Sequence, residues 1–165
     1  MAPGIEPLTL LLQLRKRARK RERPLLMEAF ADRLAARLSG RGMVVFDVRE
    51  ENLPSAHKIE SATMYSVETK RPMAKLTYAL LPDNKVEIQS FNIEDWSEKA
   101  RAGQRLLRWF VRYIAARGVT TIAGGIYSTD TRTADKLDMF RAEGFEIKEM
   151  GSMAGHTEYQ VLLEL

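Results

Sequence analysis

The order of secondary structure in this chain is decided by residues 85–127, which read KVEIQSFNIEDWSEKARAGQRLLRWFVRYIAARGVTTIAGGIY. The stretch opens on a strand-like run, Lys85 to Asn92, and closes on an apolar run, Val119 to Tyr127. Between them apolar residues recur at helical spacing on one face: Leu106, Leu107, Phe110, Val111 and Ile114. A strand, helix, strand unit within one sheet is normally parallel and right-handed, so this stretch predicts a parallel pair of strands.

The segments on either side of this stretch predict further strands. Upstream, three β-branched or alternating runs are joined by short turn-like links: Met43 to Val48, Ala62 to Val67 and Ala74 to Leu80. Short links favour an antiparallel meander. Downstream we expect a helix from Thr131 to Glu143 with Leu137 and Phe140 inward, and two closing strands, Phe145 to Met150 and Glu158 to Leu163. The predicted fold class is α/β (α+β), with a mixed, mainly antiparallel sheet flanked by helices.

The first 40 residues predict a separate helical, basic extension in front of a domain at 42–165. Its first helix covers about residues 7–22, and its second carries an apolar stripe every fourth residue from Leu26 to Leu38. Residues 1–24 contain seven Lys and Arg against two Glu, a local net charge of +5, whereas the remaining chain is nearly balanced. The basic run at 15–23 suits an anionic partner, namely nucleic acid phosphates, an anionic membrane surface or an acidic protein. A solvated charged helix explains the run equally well.

Composition excludes several classes of protein. The 165 residues make about one domain, and no run approaches the roughly 18 apolar residues of a membrane span. Cysteine is absent, which excludes disulfides and thiolate catalysis, so we expect a cytoplasmic setting. The two histidines, His57 and His156, are far apart in sequence, and no phosphate-binding loop or nucleophile elbow is present, so we expect no metal site.

From Met43 to the end the chain resembles the GNAT superfamily of acyl-CoA N-acyltransferases. The resemblance lies in the element order and in four pieces: Lys85 to Ile93, Arg101 to Leu107, Val119 to Tyr127, and Lys136 to Phe145 with its Gly-Phe end. It implies an acetyl-CoA-dependent N-acetyltransferase that uses acetyl-CoA or another acyl-CoA and acts on an amine of a small molecule or protein. The acyl chain length, the amine and any oligomeric state stay open.

The resemblance also implies a cofactor site at the turn KARAGQRLL, residues 99–107. With Gly103 as the central glycine, Ala100 and Arg105 differ from the usual residues of the family. The amides of a helix N-terminus suit a diphosphate. The expected cofactor-binding residues are Ile93, Arg101, Ala102, Gly103, Gln104, Arg105 and Thr133. Alternatively, Lys99, Arg101 and Arg105 are the solvated face of a helix.

Acyl transfer needs a base for the amine, and the leaving thiolate departs more easily with an acid. Glu94 and Asp95 are the candidate bases, since they follow the strand before the turn, although two acids here also suit a helix start or a solvated loop. The family position for the acid is Phe140, which has no proton to give. Tyr127 and His156, the latter in a loop from Gly151 to Thr157, are the candidate acids, or simply exposed residues.

Two alternatives follow from Phe140 and the altered turn. The domain is a catalytically silent, GNAT-like binding or regulatory module whose basic arm contacts a partner, nucleic acid or membrane surface. The other alternative is a nucleic-acid-binding protein, to whose function the α/β domain is incidental.

Overall fold

A computed structural model of the chain describes residues 42–129 and 132–165. Seven strands form one sheet: β1 (Val44–Glu51), β2 (Lys58–Ser66), β3 (Pro72–Leu81), β4 (Lys85–Ile93), β5 (Thr121–Tyr127), β6 (Glu146–Met153) and β7 (His156–Glu164). Two helices accompany it, α1 (Ala102–Ala116) and α2 (Thr133–Ala142). The described residues do not include 1–40, where two helices and the basic run are predicted. They also do not include Thr131, the predicted first residue of the helix that the structure has as α2.

The sheet has the order β1-β2-β3-β4-β5-β7-β6. All neighbouring strands are antiparallel except β4 and β5, which run parallel as the helical connection between them predicts. The mixed, mainly antiparallel sheet flanked by helices is therefore confirmed, and so is the antiparallel meander of the first four strands.

The core lies between the sheet and the two helices. On α1 the predicted apolar face is confirmed, because Leu106, Leu107, Phe110 and Ile114 are fully buried. On α2 Leu137 and Phe140 are buried as expected, and Phe140 packs edge-on against Phe145 and Phe91. These contacts hold α2 against β4 and fix the position of the residues that α2 presents to the sheet.

Two of the predicted boundaries are wrong. β2 starts at Lys58 rather than Ala62, because its polar first half pairs with β1 and β3. The predicted loop from Gly151 to Thr157 is a tight hairpin between β6 and β7. Its central residues, Ala154 and Gly155, both have positive φ, at 53° and 80°, which is the geometry of a two-residue turn that matches the strand twist.

Candidate functional site

The two parallel strands at the middle of the sheet separate halfway along their length. β4 pairs with β5 only over four positions, from Lys85 opposite Thr121 to Ile88 opposite Gly124. Beyond them β4 stays paired with β3 as far as Ile93, and β5 stays paired with β7 as far as Tyr127. The strands therefore diverge from each other while each remains held on its outer side.

A β-bulge lies at the point of divergence. In the register of β3 and β4, Thr77 is opposite Ser90 and Tyr78 is opposite Ile88, so Gln89 is the extra residue of β4. A bulge bends its strand and increases the local twist. It thus accounts for the departure of β4 from β5 directly after the last parallel pair.

The divergence leaves a cleft of about 140 Å³ between the strands. Its walls are the separated ends of β4 and β5, with residues of α2 and β7 completing them. The lining residues are Ile88, Gln89, Ser90, Phe91, Asn92, Gly124, Gly125, Ile126, Tyr127, Lys136, Phe140 and Val161. Because the backbones of β4 and β5 are not paired across this gap, a ligand here meets main-chain amides and carbonyls.

The N-terminus of α1 follows the diverging end of β4 after a short loop. Arg101, just before the helix, has a left-handed backbone with φ of 46°, and no side chain caps the first turn. The first turn also contains no acidic residue. The first amides of a helix lack intrahelical partners and carry a partial positive charge, so this end of α1 is suited to an anionic group.

Comparison with solved structures places this arrangement among known folds. An acetyltransferase of the GNAT family from Desulfovibrio desulfuricans superimposes with a TM-score of 0.54, at 10% identity over 73% of this chain and 99% of that chain. The Bacillus subtilis acetyltransferase in complex with CoA superimposes with a TM-score of 0.53, at 14% identity over 74% and 99% of the two chains. The IAA acetyltransferase from Bacillus cereus gives 0.52, with 14% identity and the same coverage.

The chain has the GNAT fold. The resemblance stated from the sequence is confirmed at this level, since the similarity covers nearly all of each of these three neighbours. No protein-family profile and no curated protein matches the sequence. Identities of 10% to 14% show the fold alone.

Within this GNAT fold, Gly103 lies where a Cβ atom would press on two neighbouring side chains. That Cβ would meet Cδ1 of Ile93 and would lie 2.7 Å from Sδ of Met139, both at the ends of flexible side chains that would have to shift. The glycine therefore lets α1 approach β4 and α2 closely. Of the other predicted cofactor-binding residues, Ile93 is the last residue of β4 and Ala102 is the first residue of α1, and neither lines the cleft.

The other predicted cofactor-binding side chains have partners within the fold. Gln104 donates a hydrogen bond to Glu143 at 2.9 Å, and the Thr133 hydroxyl donates to the Tyr127 carbonyl at 3.1 Å. Arg105 is buried and donates from Nη1 to the Ala100 carbonyl at 3.4 Å. The interpretation of Arg105 as part of a solvated face is therefore wrong, because its position on α1 faces the core.

Arg101 stays exposed at the start of α1. The loop between β4 and α1 contacts the residue before α2, because the Arg132 guanidinium lies 4.7 Å from the centre of the Trp96 ring. This cation–π contact brings the loop before α1 close to the start of α2. The sequence analysis missed both residues.

Of the candidate acids and bases, the structure places only Tyr127 at the cleft, where its side chain is 49% exposed. Glu94 and Asp95 follow β4 but do not line the cleft. Asp95 accepts a hydrogen bond from the Ser97 amide at 2.9 Å, as a residue that shapes a turn does. His156 is the exposed first residue of β7 and lies apart from the cleft lining.

Lys136 is a cleft residue that the sequence analysis missed. It is only 9% exposed and lines the cleft from α2, one turn before Phe140. Its signal in the sequence is its position, because it lies four residues before the inward Phe140 and therefore shares a helical face with it.

Residues 42–129 and 132–165 contain no group of three or more potential metal ligands. Within the same ranges neither helix has the length and apolar character needed to cross a bilayer.

Proposed function

We propose that the chain is an N-acyltransferase that transfers an acyl group, with acetyl as the simplest case, from acyl-CoA to an amine. The observation that carries this proposal is the separation of β4 from β5, which opens a cleft through the middle of an otherwise continuous sheet. The GNAT fold supports it, and so does the CoA bound to the structurally similar acetyltransferase of Bacillus subtilis.

The site fits the chemistry of an acylated pantetheine and a diphosphate. An extended chain of amide groups pairs well with the open backbone edges of β4 and β5. A diphosphate suits the uncapped start of α1, with the exposed Arg101 beside it. In this proposal backbone amides near Ile93 stabilise the thioester oxygen as negative charge develops, and the hydroxyl of Thr133 lies at the edge of the same site.

The proposal assigns the amine-activating base to the end of β4. Glu94 is exposed there, whereas the Asp95 carboxylate already accepts a hydrogen bond from Ser97, which makes Glu94 the better candidate. Tyr127 stands at the cleft on the next strand and can hydrogen-bond to the incoming amine. His156 has no position in this scheme.

Isothermal titration calorimetry with CoA and acetyl-CoA tests the proposal. Asn92 and Glu87 are matched positions, since both are exposed on β4 and only Asn92 lines the cleft. We expect the wild type to bind both ligands, Asn92→Trp to bind at least about tenfold more weakly, and Glu87→Trp to be unchanged. Lack of binding at millimolar ligand would contradict acyl transfer and favour a silent GNAT-like module.

A further inference from the structure

Lys136 is a largely buried lysine, 9% exposed, that lines the cleft. Among residues 42–129 and 132–165 its side chain has no hydrogen-bond or ion-pair partner. The other buried charged residues of these ranges, Glu60 and Arg105, are each hydrogen-bonded. Lysine is rarely this buried unless it is paired, so an unpaired lysine at the cleft is a candidate for binding a ligand.

The surroundings of Lys136 indicate what it faces. Among the residues that line the cleft, the ionisable ones are Lys136 and Tyr127, and Tyr127 is half exposed. None of the lining residues that the structure describes carries a negative charge. One turn further along α2, the lining residue is Phe140, whose apolar ring lies between Phe91 and Phe145. The interior of the cleft therefore combines an apolar wall with one unpaired positive charge, an environment that strengthens its attraction for an anion.

We propose that Lys136 is the counter-ion of the thiolate that leaves during acyl transfer. This inference rests on the proposed function. As the amine nitrogen forms its bond to the acyl carbon, the carbon–sulfur bond breaks and its electron pair stays on sulfur. The Lys136 ammonium pairs with that negative charge, and the proton released by the amine passes to Glu94, the base of the proposed function, and from there to water. Because the charge on sulfur grows only as the bond breaks, the pairing stabilises the transition state more than the bound thioester.

A counter-ion stabilises the leaving thiolate by its charge, whereas an acid stabilises it by giving a proton to the sulfur. The Phe140 side chain has neither a proton nor a charge to offer, and Lys136 supplies a charge to the same cleft from the same face of α2. A counter-ion at Lys136 accounts both for the apolar ring at Phe140 and for a largely buried lysine without a partner among the described residues.

The test compares CoA with desulfo-CoA, which lacks the sulfur, by calorimetry at about pH 8.5, where a typical thiol is half ionised. We expect wild type to bind CoA about tenfold more tightly than desulfo-CoA, since a charged hydrogen bond contributes that much. In Lys136→Met the two ligands should bind equally, and Lys136→Arg should retain part of the difference. Lys148→Met, at an exposed lysine of β6, is the control and should behave as wild type.

Thermal unfolding and kinetics supply two further readouts. Removing an unpaired buried charge should leave the melting temperature of Lys136→Met at or above that of wild type, whereas kcat should fall at least about tenfold with little change in the KM for acetyl-CoA. Equal binding of CoA and desulfo-CoA by wild type would overturn the role of Lys136 and leave the proposed function intact. If wild type, but not Lys136→Met, preferred succinyl-CoA over CoA, the Lys136 charge would serve a substrate carboxylate. That result would also overturn the role of Lys136 as the counter-ion of the thiolate. Failure of wild type to bind any of these ligands would remove both proposals.

Discussion

Arg117 and Glu60 form a two-point ion pair that joins the end of α1 to β2. Nη1 of Arg117 donates to Oε2 of Glu60 at 2.5 Å, and Nη2 donates to Oε1 at 3.3 Å. The Tyr78 hydroxyl donates to the same carboxylate at 2.8 Å, and Arg117 also donates to the Tyr113 hydroxyl at 3.0 Å. The Glu60 side chain is only 7% exposed, so the pair compensates a charge that would otherwise be costly.

Arg117→Met should lower the free energy of unfolding by about 2 kcal/mol, because it leaves the Glu60 carboxylate buried with weaker partners. Urea denaturation measures the loss. The matched control is Arg141→Met, which breaks an exposed pair with Asp138 at 2.9 Å on α2 and should cost less than about 0.5 kcal/mol. Equal losses in the two variants would show that the Arg117 pair contributes nothing special.

The same pair predicts an acid sensitivity. Burial by itself raises the pKa of Glu60, but hydrogen bonds from Arg117 and Tyr78 outweigh burial and hold this pKa below its ordinary value. A lowered folded-state pKa contributes stability above the unfolded pKa, and that contribution is lost as the pH falls through the folded pKa. We expect the Glu60 contribution to be complete above about pH 5 and to be lost progressively as the pH falls below the ordinary glutamate pKa and through the lower folded-state pKa.

Urea denaturation of wild type and Glu60→Gln at a series of pH values tests this sensitivity. The difference in unfolding free energy between them should be largest above about pH 5 and shrink on acidification. A difference that grows as the pH falls would contradict the direction assigned to the pKa of Glu60.

Gly103 and Ile93 should be energetically coupled. Gly103→Ala gains about 1 kcal/mol of helix propensity, but its Cβ would push Cδ1 of Ile93 and Sδ of Met139 aside, and overpacking against such flexible ends costs about 1 kcal/mol. We expect little net change in the wild-type background and a gain in stability when Ile93→Ala has removed the clashing atoms. Gly125→Ala is the control, because its Cβ would meet no atom closer than 3.8 Å. Additive effects of Gly103→Ala and Ile93→Ala would refute the packing role of this glycine.

The hairpin between β6 and β7 offers a stabilising substitution. Ala154 has a φ of 53°, a left-handed backbone that costs a residue with Cβ about 1 kcal/mol. Ala154→Gly should therefore raise the unfolding free energy by a few tenths to about 1 kcal/mol. Ala115→Gly, at an exposed position of α1, should lower it by about 1 kcal/mol. A loss of stability in Ala154→Gly would contradict the tight turn.

Most of the fold follows from the sequence, because its elements obey simple periodicities. The apolar face of α1 and the apolar run of β5 predict the parallel pair, and the short links predict the meander. The failures have physical causes. The start of β2 contains Lys58, Glu60 and Ser61, which look like loop residues until Arg117 compensates the buried carboxylate. The hairpin at Ala154 and Gly155 lacks the Asn-Gly pair that usually marks such a turn.

The site was predictable in outline only. Element order and the resemblance predict a cofactor pocket between β4 and the turn at 99–107, and the structure has a cleft that begins on β4 at 88–92 and a helix that starts at Ala102. The side chains were harder to predict. Gly103 is required by contacts with Ile93 and Met139, which no local pattern reveals. Lys136 resembles any solvated helical lysine until the fold buries it, and the cleft itself results from a bulge at Gln89 and from backbone groups that have no sequence signature.

The central claim is that the cleft between β4 and β5 receives an acyl-CoA. The most direct measurement is a titration of isotopically labelled protein with CoA, followed by the chemical shifts of its backbone amides in NMR spectra. The account predicts shifts concentrated at 89–93, 102–104 and 124–127, with little change at the paired positions 85–87, which do not line the cleft. Shifts concentrated elsewhere, or an unchanged spectrum at millimolar CoA, would contradict it.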